Sequence, residues 1–259
     1  MIMFYTSLAA FLAIVVGVAS GLGPGVIIKT LFDAANFHSI TEISFYISVA
    51  FLPMVGILSY RRFHNNKSPV DISRMAVAAV GAVAGAVLGE YLLEYVVLHL
   101  STILKGIQAS SLIIILVLLY LDELKILKIK ESKIETKPKV LILSMFLSLT
   151  IVFLSVGGRG LNLAAYLTFF PYDKNEAPVL SLVIIFFAQI TKITKIFVTT
   201  GFGQFDGKIV ILLIIVSTVG TLIGIVLNNK IPKKYNHSLS IGILSVILVL
   251  AIVNLVRLF

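Results

Sequence analysis

Apolar residues in this chain gather into runs of about 20, the length that crosses a bilayer's hydrocarbon, and short polar loops separate one run from the next. The first occupies residues 3 to 20, and others fall at roughly 43 to 60, 75 to 97, 101 to 121, 140 to 156, 177 to 199, 208 to 228 and 239 to 257. Each predicts a membrane helix. Two of the runs end in glycine. Ala19-Ser20-Gly21-Leu22-Gly23-Pro24-Gly25 is followed by a short segment ending near Asp33, and Val156-Gly157-Gly158-Arg159-Gly160-Leu161-Asn162 by one reaching Pro171. Glycine ends a helix and leaves backbone amides uncovered, so a second helix can start at membrane depth with its positive end facing a cavity. Two such breaks predict a transporter with an anion site.

The pattern also repeats. At a constant offset of 139, Gly21-Leu22 matches Gly160-Leu161, Val80-Gly81 matches Val219-Gly220, Gly85 matches Gly224, and Val87-Leu88 matches Val226-Leu227. Internal repetition typifies secondary transporters, which hold substrate between the halves. The expected organisation is a first transmembrane repeat over 1–121, a basic linker over 122–139 and a second repeat over 140–259. The fold class is an all-α integral membrane protein of two inverted repeats, each a broken or re-entrant helical hairpin plus three transmembrane helices.

Composition agrees: 59% of the 259 residues are hydrophobic and 13% charged, with a mean hydropathy of +1.07. A soluble domain could not clothe itself with so few polar side chains. Little chain is left outside the bilayer for a soluble catalytic or nucleic-acid-binding domain, so the net charge of +9 belongs to loops. If each broken element enters and leaves on one side, fourteen cations face one compartment and three (Lys105, Lys208, Arg257) the other. Full crossing by both elements would divide them twelve to five. The positive-inside rule favours the hairpin arrangement, with the basic loops cytoplasmic and both termini outside. Val18-Ala19-Ser20 resembles a small-residue cleavage site, but no cation precedes Lys29, so the first run is read as a helix and not a signal peptide. Cysteine is absent, which excludes disulfides and thiolate metal sites.

The first glycine break, the Leu58-Ser59-Tyr60-Arg61-Arg62 end of the next span, the Gly81-x3-Gly85 span and the repetition of this plan resemble the sulfite exporter TauE/SafE family. Members show a Gly-Ile-Gly-Gly-Gly run with a proline a few residues on, in each half. Here the first copy reads Gly21-Leu22-Gly23-Pro24-Gly25 with Lys29 in place of that proline, and the second reads Gly157-Gly158-Arg159-Gly160 with Pro171 later. The resemblance implies passage of sulfite, organosulfonates or related anions across a cell membrane, the bacterial plasma membrane in particular. Its implied partners are that small inorganic or organosulfur anion and the lipid bilayer. A homodimer is left open, and nucleic acid is not expected.

Four cations lie inside apolar runs: Lys29, Arg159, Lys192 and Lys195. Each costs about 2.5 to 3.5 kcal/mol at the bilayer centre, so each should bind, pair or line water. Arg159 can hold two oxygens of a sulfonate, or else cap the carbonyls of the preceding half-helix. Lys192 stands three residues beyond Gln189 on one helical face, with Lys195 a turn further; both lysines line the pathway or snorkel to headgroups. Lys29 serves the anion or pairs with Asp33. Ser20, Gly23, Gly25, Gly158, Gly160 and Asn162 are candidate neutral donors, or ordinary helix-packing positions. Gly81, Gly85, Gly220 and Gly224 are read as close-packing positions, and Glu42 as a helix-dipole partner. Glu90 and Glu94 are expected at an aqueous edge. The four histidines are scattered and suggest no metal, and no cofactor or enzyme motif is present. An anion channel, an uptake carrier for thiosulfate or sulfate, and an intramembrane enzyme are the competing readings, the last lacking any paired acid, nucleophile or metal site.

Overall fold

The computed structural model describes residues 1–64, 71–124, 126, 136–156, 162, 165–166 and 176–258, apart from the side chains of 101, 102, 233 and 236. All regular structure among them is helical: α1 Ile2–Ser20, α2 Gly25–Ala35, α3 Ile40–His64, α4 Ile72–Leu100, α5 Ile103–Glu123, α6 Lys137–Leu154, α7 Glu176–Thr199, α8 Gly207–Lys230 and α9 Lys233–Val256. Every one but α2 contains a stretch long and apolar enough to cross a membrane. At 11 residues α2 rises about 16 Å, half the hydrocarbon thickness. Large apolar side chains such as Val80, Phe146, Ile211 and Val249 are at least 60% exposed, which only lipid can accommodate. The protein is a multi-pass membrane protein.

The first break falls where the glycines predict it. Gly21 (φ +81°) and Gly23 (φ +90°) adopt left-handed backbone, and the Gly23 amide donates to the Gly17 carbonyl at 3.0 Å. A Cβ on Gly17 would lie 2.5 Å from Pro24 Cα, so the turn closes only because Gly17 has none. The chain then returns beside α1. Tyr5 Oη donates to the Leu31 carbonyl at 3.3 Å, and Thr6 Oγ1 lies 2.8 Å from His38 Nε2. Thus α1 and α2 form a hairpin that opens on the face where α1 began. α3 starts there with a capping box: Ser39 Oγ accepts from the Glu42 amide at 3.2 Å and Glu42 Oε2 from the Ser39 amide at 2.8 Å. That cap accounts for Glu42.

α3 and α8 run side by side to the opposite face, where Arg61 Nη2 donates to Asn229 Oδ1 at 3.0 Å. α4 and α7 set out from that face, with Arg74 3.7 Å from Glu176. α6 also starts there, because its first half lies along the first half of α4. α6 and α7 therefore both start on the face opposite to the one on which the α1–α2 hairpin opens. α9 returns to the first face, where Asn254 Nδ2 donates to the Thr30 carbonyl at 3.0 Å.

α4 packs on α6, and α8 on α1. On α4, a Cβ at Gly81 would meet the Leu141 carbonyl at 2.5 Å; on α8, one at Gly224 would meet Val18 Cβ at 2.8 Å. Polar side chains seal both seams: Ser148 Oγ donates to the Ala82 carbonyl and Asn228 Nδ2 to the Ala19 carbonyl, each at 2.6 Å. The glycine spacing read as close packing is therefore the contact of α4 with α6 and of α8 with α1.

Candidate anion site

α7 carries Gln189, Lys192 and Lys195 at intervals of three, which places them on a strip facing inward for most of its length. Gln189 and Lys192 are 3% and 1% exposed. A lysine so enclosed must find partners, because an ammonium group leaves water only at a cost of several kcal/mol. Lys192 Nζ donates to Ser44 Oγ on α3 and stands 3.7 Å from Glu90 Oε2 on α4. Ser44 Oγ in turn bonds to Ser155 Oγ. Ser155 is the residue on which α6 stops, in left-handed backbone (φ 55°), and Gln108 of α5 donates to the Phe153 carbonyl at 2.8 Å, satisfying one of the carbonyls that a helix end leaves open. The carbonyl end of α6 is also the negative pole of its dipole, which suits a neighbouring cation.

A second α4–α7 ion pair lies one turn outward. Lys195 Nζ contacts Glu94 Oε2 at 2.6 Å and sits 3.8 Å above the Tyr91 ring. Glu90 departs from the aqueous edge expected for it. Glu94 is 40% exposed, whereas Glu90 is buried at 4%, because α7 lays Lys192 against it. Lys195 is paired and only 9% exposed, so it does not snorkel freely to headgroups.

Among the described residues, several fully buried polar atoms lack a hydrogen-bond partner: Glu90 Oε2, Gln189 Oε1 and Gln108 Oε1 and, on the segment after α6, both side-chain polar atoms of Asn162. Each such group costs about 1 to 3 kcal/mol unless something satisfies it. Asn162 lies on the segment that follows the second break. Four residues on, Tyr166 Oη and Ser144 Oγ are 2.6 Å apart, which sets this segment against the middle of α6.

The other predicted residues divide. Lys29, 2% exposed, is bound to Asp33 at 2.7 Å, so its charge is already matched. It lies within electrostatic reach of Lys192 and lines a cavity of about 50 Å³ with His38, Lys105 and Gln108. Ser20 is not an open donor: its hydroxyl bonds to the Gly17 carbonyl at 3.5 Å and accepts from the Leu22 amide at 3.4 Å, locking the turn. The Gly23 amide is likewise taken, and Gly25 begins α2. These three sit beside the end of α8, whereas Lys192 sits beside the start of α3. The separation along α3 from Ser44 to Arg61 is about 25 Å at 1.5 Å per residue. The C-terminal ends of α1 and α6 are therefore set apart, and the start of the segment after the second glycine-rich stretch lies outside the described residues. Each broken helix runs nearly the whole way through before it stops, so the two ends lie near opposite faces. Gly158, Arg159 and Gly160 lie outside the described residues.

No group of acids and histidines able to hold a metal occurs among the described residues. The family model described as Sulfite exporter TauE/SafE matches residues 6–254. The chain belongs to this family. Searches of curated proteins and of solved structures find no match. The TauE/SafE match takes in both glycine-rich stretches, the α1–α8 and α4–α6 contacts, and Lys192 with its neighbours. This TauE/SafE chain is thus a membrane transporter, and the features of the site are those of its own sequence.

Sequence reasoning passed over Ser44 and Ser155, and it set Glu90 at an aqueous edge instead of beside Lys192. The hydroxyls carry no signal, since serine is common in membrane helices. Glu90 did carry one. Two acids four apart in one apolar span and two lysines three apart in another have to be neutralised, and each pair is the other's obvious partner.

Proposed function

We propose that the chain carries small sulfur-containing oxyanions, sulfite or organosulfonates, across a cell membrane in the outward direction, by alternating access. Lys192 is the anchor of the anion. Gln189 and Asn162 supply neutral contacts, and Arg159 adds a planar, two-pronged donor suited to a sulfonate. The observation that carries this reading is a lysine sealed from water whose near neighbours are a hydroxyl and one loosely held carboxylate, with buried polar atoms unsatisfied around it. The halves over 1–121 and 140–259 act as inverted repeats joined by a basic cytoplasmic linker, with both termini outside. Support comes from the opposite faces on which the α1–α2 hairpin opens and α6 and α7 start, and from the reciprocal α1–α8 and α4–α6 seams. One repeat would rock against the other around the bound anion.

Flux into liposomes with sulfite, thiosulfate, sulfate and organosulfonates tests this directly. Wild-type protein is expected to move at least one of them, and Arg159→Ala to insert normally while losing uptake. Unchanged uptake by Arg159→Ala removes that residue from the site. Large single-channel currents replace the carrier by a channel, since carriers turn over too slowly to show them.

A further inference from the structure

Among the described residues, the charges around Lys192 pair off before any substrate arrives. Lys192 faces Glu90, Lys195 faces Glu94, and Lys29 faces Asp33. α3 and α6 contribute only the hydroxyls of Ser44 and Ser155, and α5 contributes Gln108 and, at the rim of the adjoining cavity, Lys105. An anion that draws Lys192 to itself, beside Arg159, therefore leaves Glu90 without its cation in a buried place. A protein interior does not tolerate such a charge; the group neutralises instead.

Of the three carboxylates, only Glu90 is placed to do so. Its Oε2 accepts no hydrogen bond, and its contact with Lys192 is 3.7 Å, beyond hydrogen-bonding length. Asp33 and Glu94 are held at 2.7 and 2.6 Å by their own lysines. Resting on the reading of Lys192 as the anion anchor, we infer that Glu90 is the coupling residue: it takes up one proton when the anion binds Lys192 and releases it when the anion leaves. A proton from water attaches to Glu90 Oε2, the ammonium exchanges its carboxylate partner for the oxyanion, and the loaded site keeps the net charge of the empty one. For a monoanion the cycle is electroneutral. Net flow then follows the product of the anion and proton gradients, outward when substrate accumulates inside and inward when the exterior is acid.

The test uses the full chain in liposomes with methanesulfonate and thiosulfate, whose charges stay constant over the working pH range. Counterflow at equal pH on both sides reports binding and passage alone. Net uptake driven by a pH gradient under a voltage clamp reports the proton. Wild-type protein is expected to show both, with up to about tenfold accumulation of methanesulfonate per unit of pH gradient. Glu90→Gln, neutral at every pH, is expected to keep counterflow at an altered rate and to lose the response to the gradient. Should Glu90→Gln fail to fold, proton uptake by the wild type on adding the anion in detergent decides: one proton per anion supports the inference and none overturns it. Counterflow without gradient-driven accumulation in the wild type overturns the coupling and leaves the transport reading standing. Absence of counterflow for every oxyanion overturns both.

Discussion

The two rungs that join α4 to α7 have the same chemistry and opposite character. The outer one, Lys195–Glu94, is short at 2.6 Å, reaches the surface through a glutamate 40% exposed, and is braced by the Tyr91 ring. The inner one, Lys192–Glu90, is long at 3.7 Å, is closed to solvent, and shares its ammonium group with a serine on a third helix. A tight pair at the surface contributes little and binds nothing else. A loose pair in a dry place is expensive to leave incomplete and ready to accept a better partner. The difference assigns fastening to the outer rung and ligand exchange to the inner.

Breaking the inner rung should have the largest effect. Lys192→Met is expected to abolish oxyanion flux and to lower stability by about 3 to 5 kcal/mol, because it leaves Glu90 buried without a cation. Adding Glu90→Gln should recover most of the stability and none of the flux. Thermal unfolding in detergent beside liposome flux checks both halves of the statement, and flux in the double variant would return Lys192 to a purely structural role.

Next is the hydroxyl that shares the ammonium. Ser44→Ala removes a hydrogen bond to a charged group, a loss of about 1.5 to 3 kcal/mol. Flux should persist with a raised half-saturation concentration, since Lys192 loses the contact that aims it. An unchanged half-saturation value would show that Ser44 does not orient the lysine.

Cutting the outer rung should matter less. Glu94→Gln is expected to cost no more than about 1 kcal/mol, diminishing with added salt, and to leave flux intact. A loss of flux equal to that of Lys192→Met would erase the distinction between the rungs.

The smallest effect belongs to His38, at the mouth of the α1–α2 hairpin. Burial holds its imidazole below the ordinary pKa of 6.5, against the opposing influence of Glu42. Its Nε2 donates to Thr6 Oγ1, whose own proton goes to the Ile2 carbonyl. Because the unfolded chain takes the proton first, stability should be whole above pH 6.5 and decline as pH falls from there toward the folded-state pKa. His38→Gln should flatten that part of the stability profile while leaving the inner rung's behaviour as it was.

Much of this could be read from residue order alone. The spans, the break at Gly21 to Gly25, the close approach at Gly81 and Gly224 and the Lys29–Asp33 pair all depend on neighbours within a turn or two, or on the one-dimensional length a bilayer demands. Lys192 and Gln189 stood out because a cation and an amide in an apolar run are costly anywhere. How far apart the ends of α1 and α6 lie was not legible, because helix length, not glycine position, decides how deep each helix reaches. Nor could the linear order show that Glu90 turns inward while Glu94 turns to the surface, since that depends on which side of α4 receives α7. The sequence by itself determined a bundle of membrane helices containing charges that need partners. Only the packing of α3, α4, α6 and α7 decided which partners they found, because a membrane's uniform pull on apolar residues sets what is buried in it but not which buried groups meet.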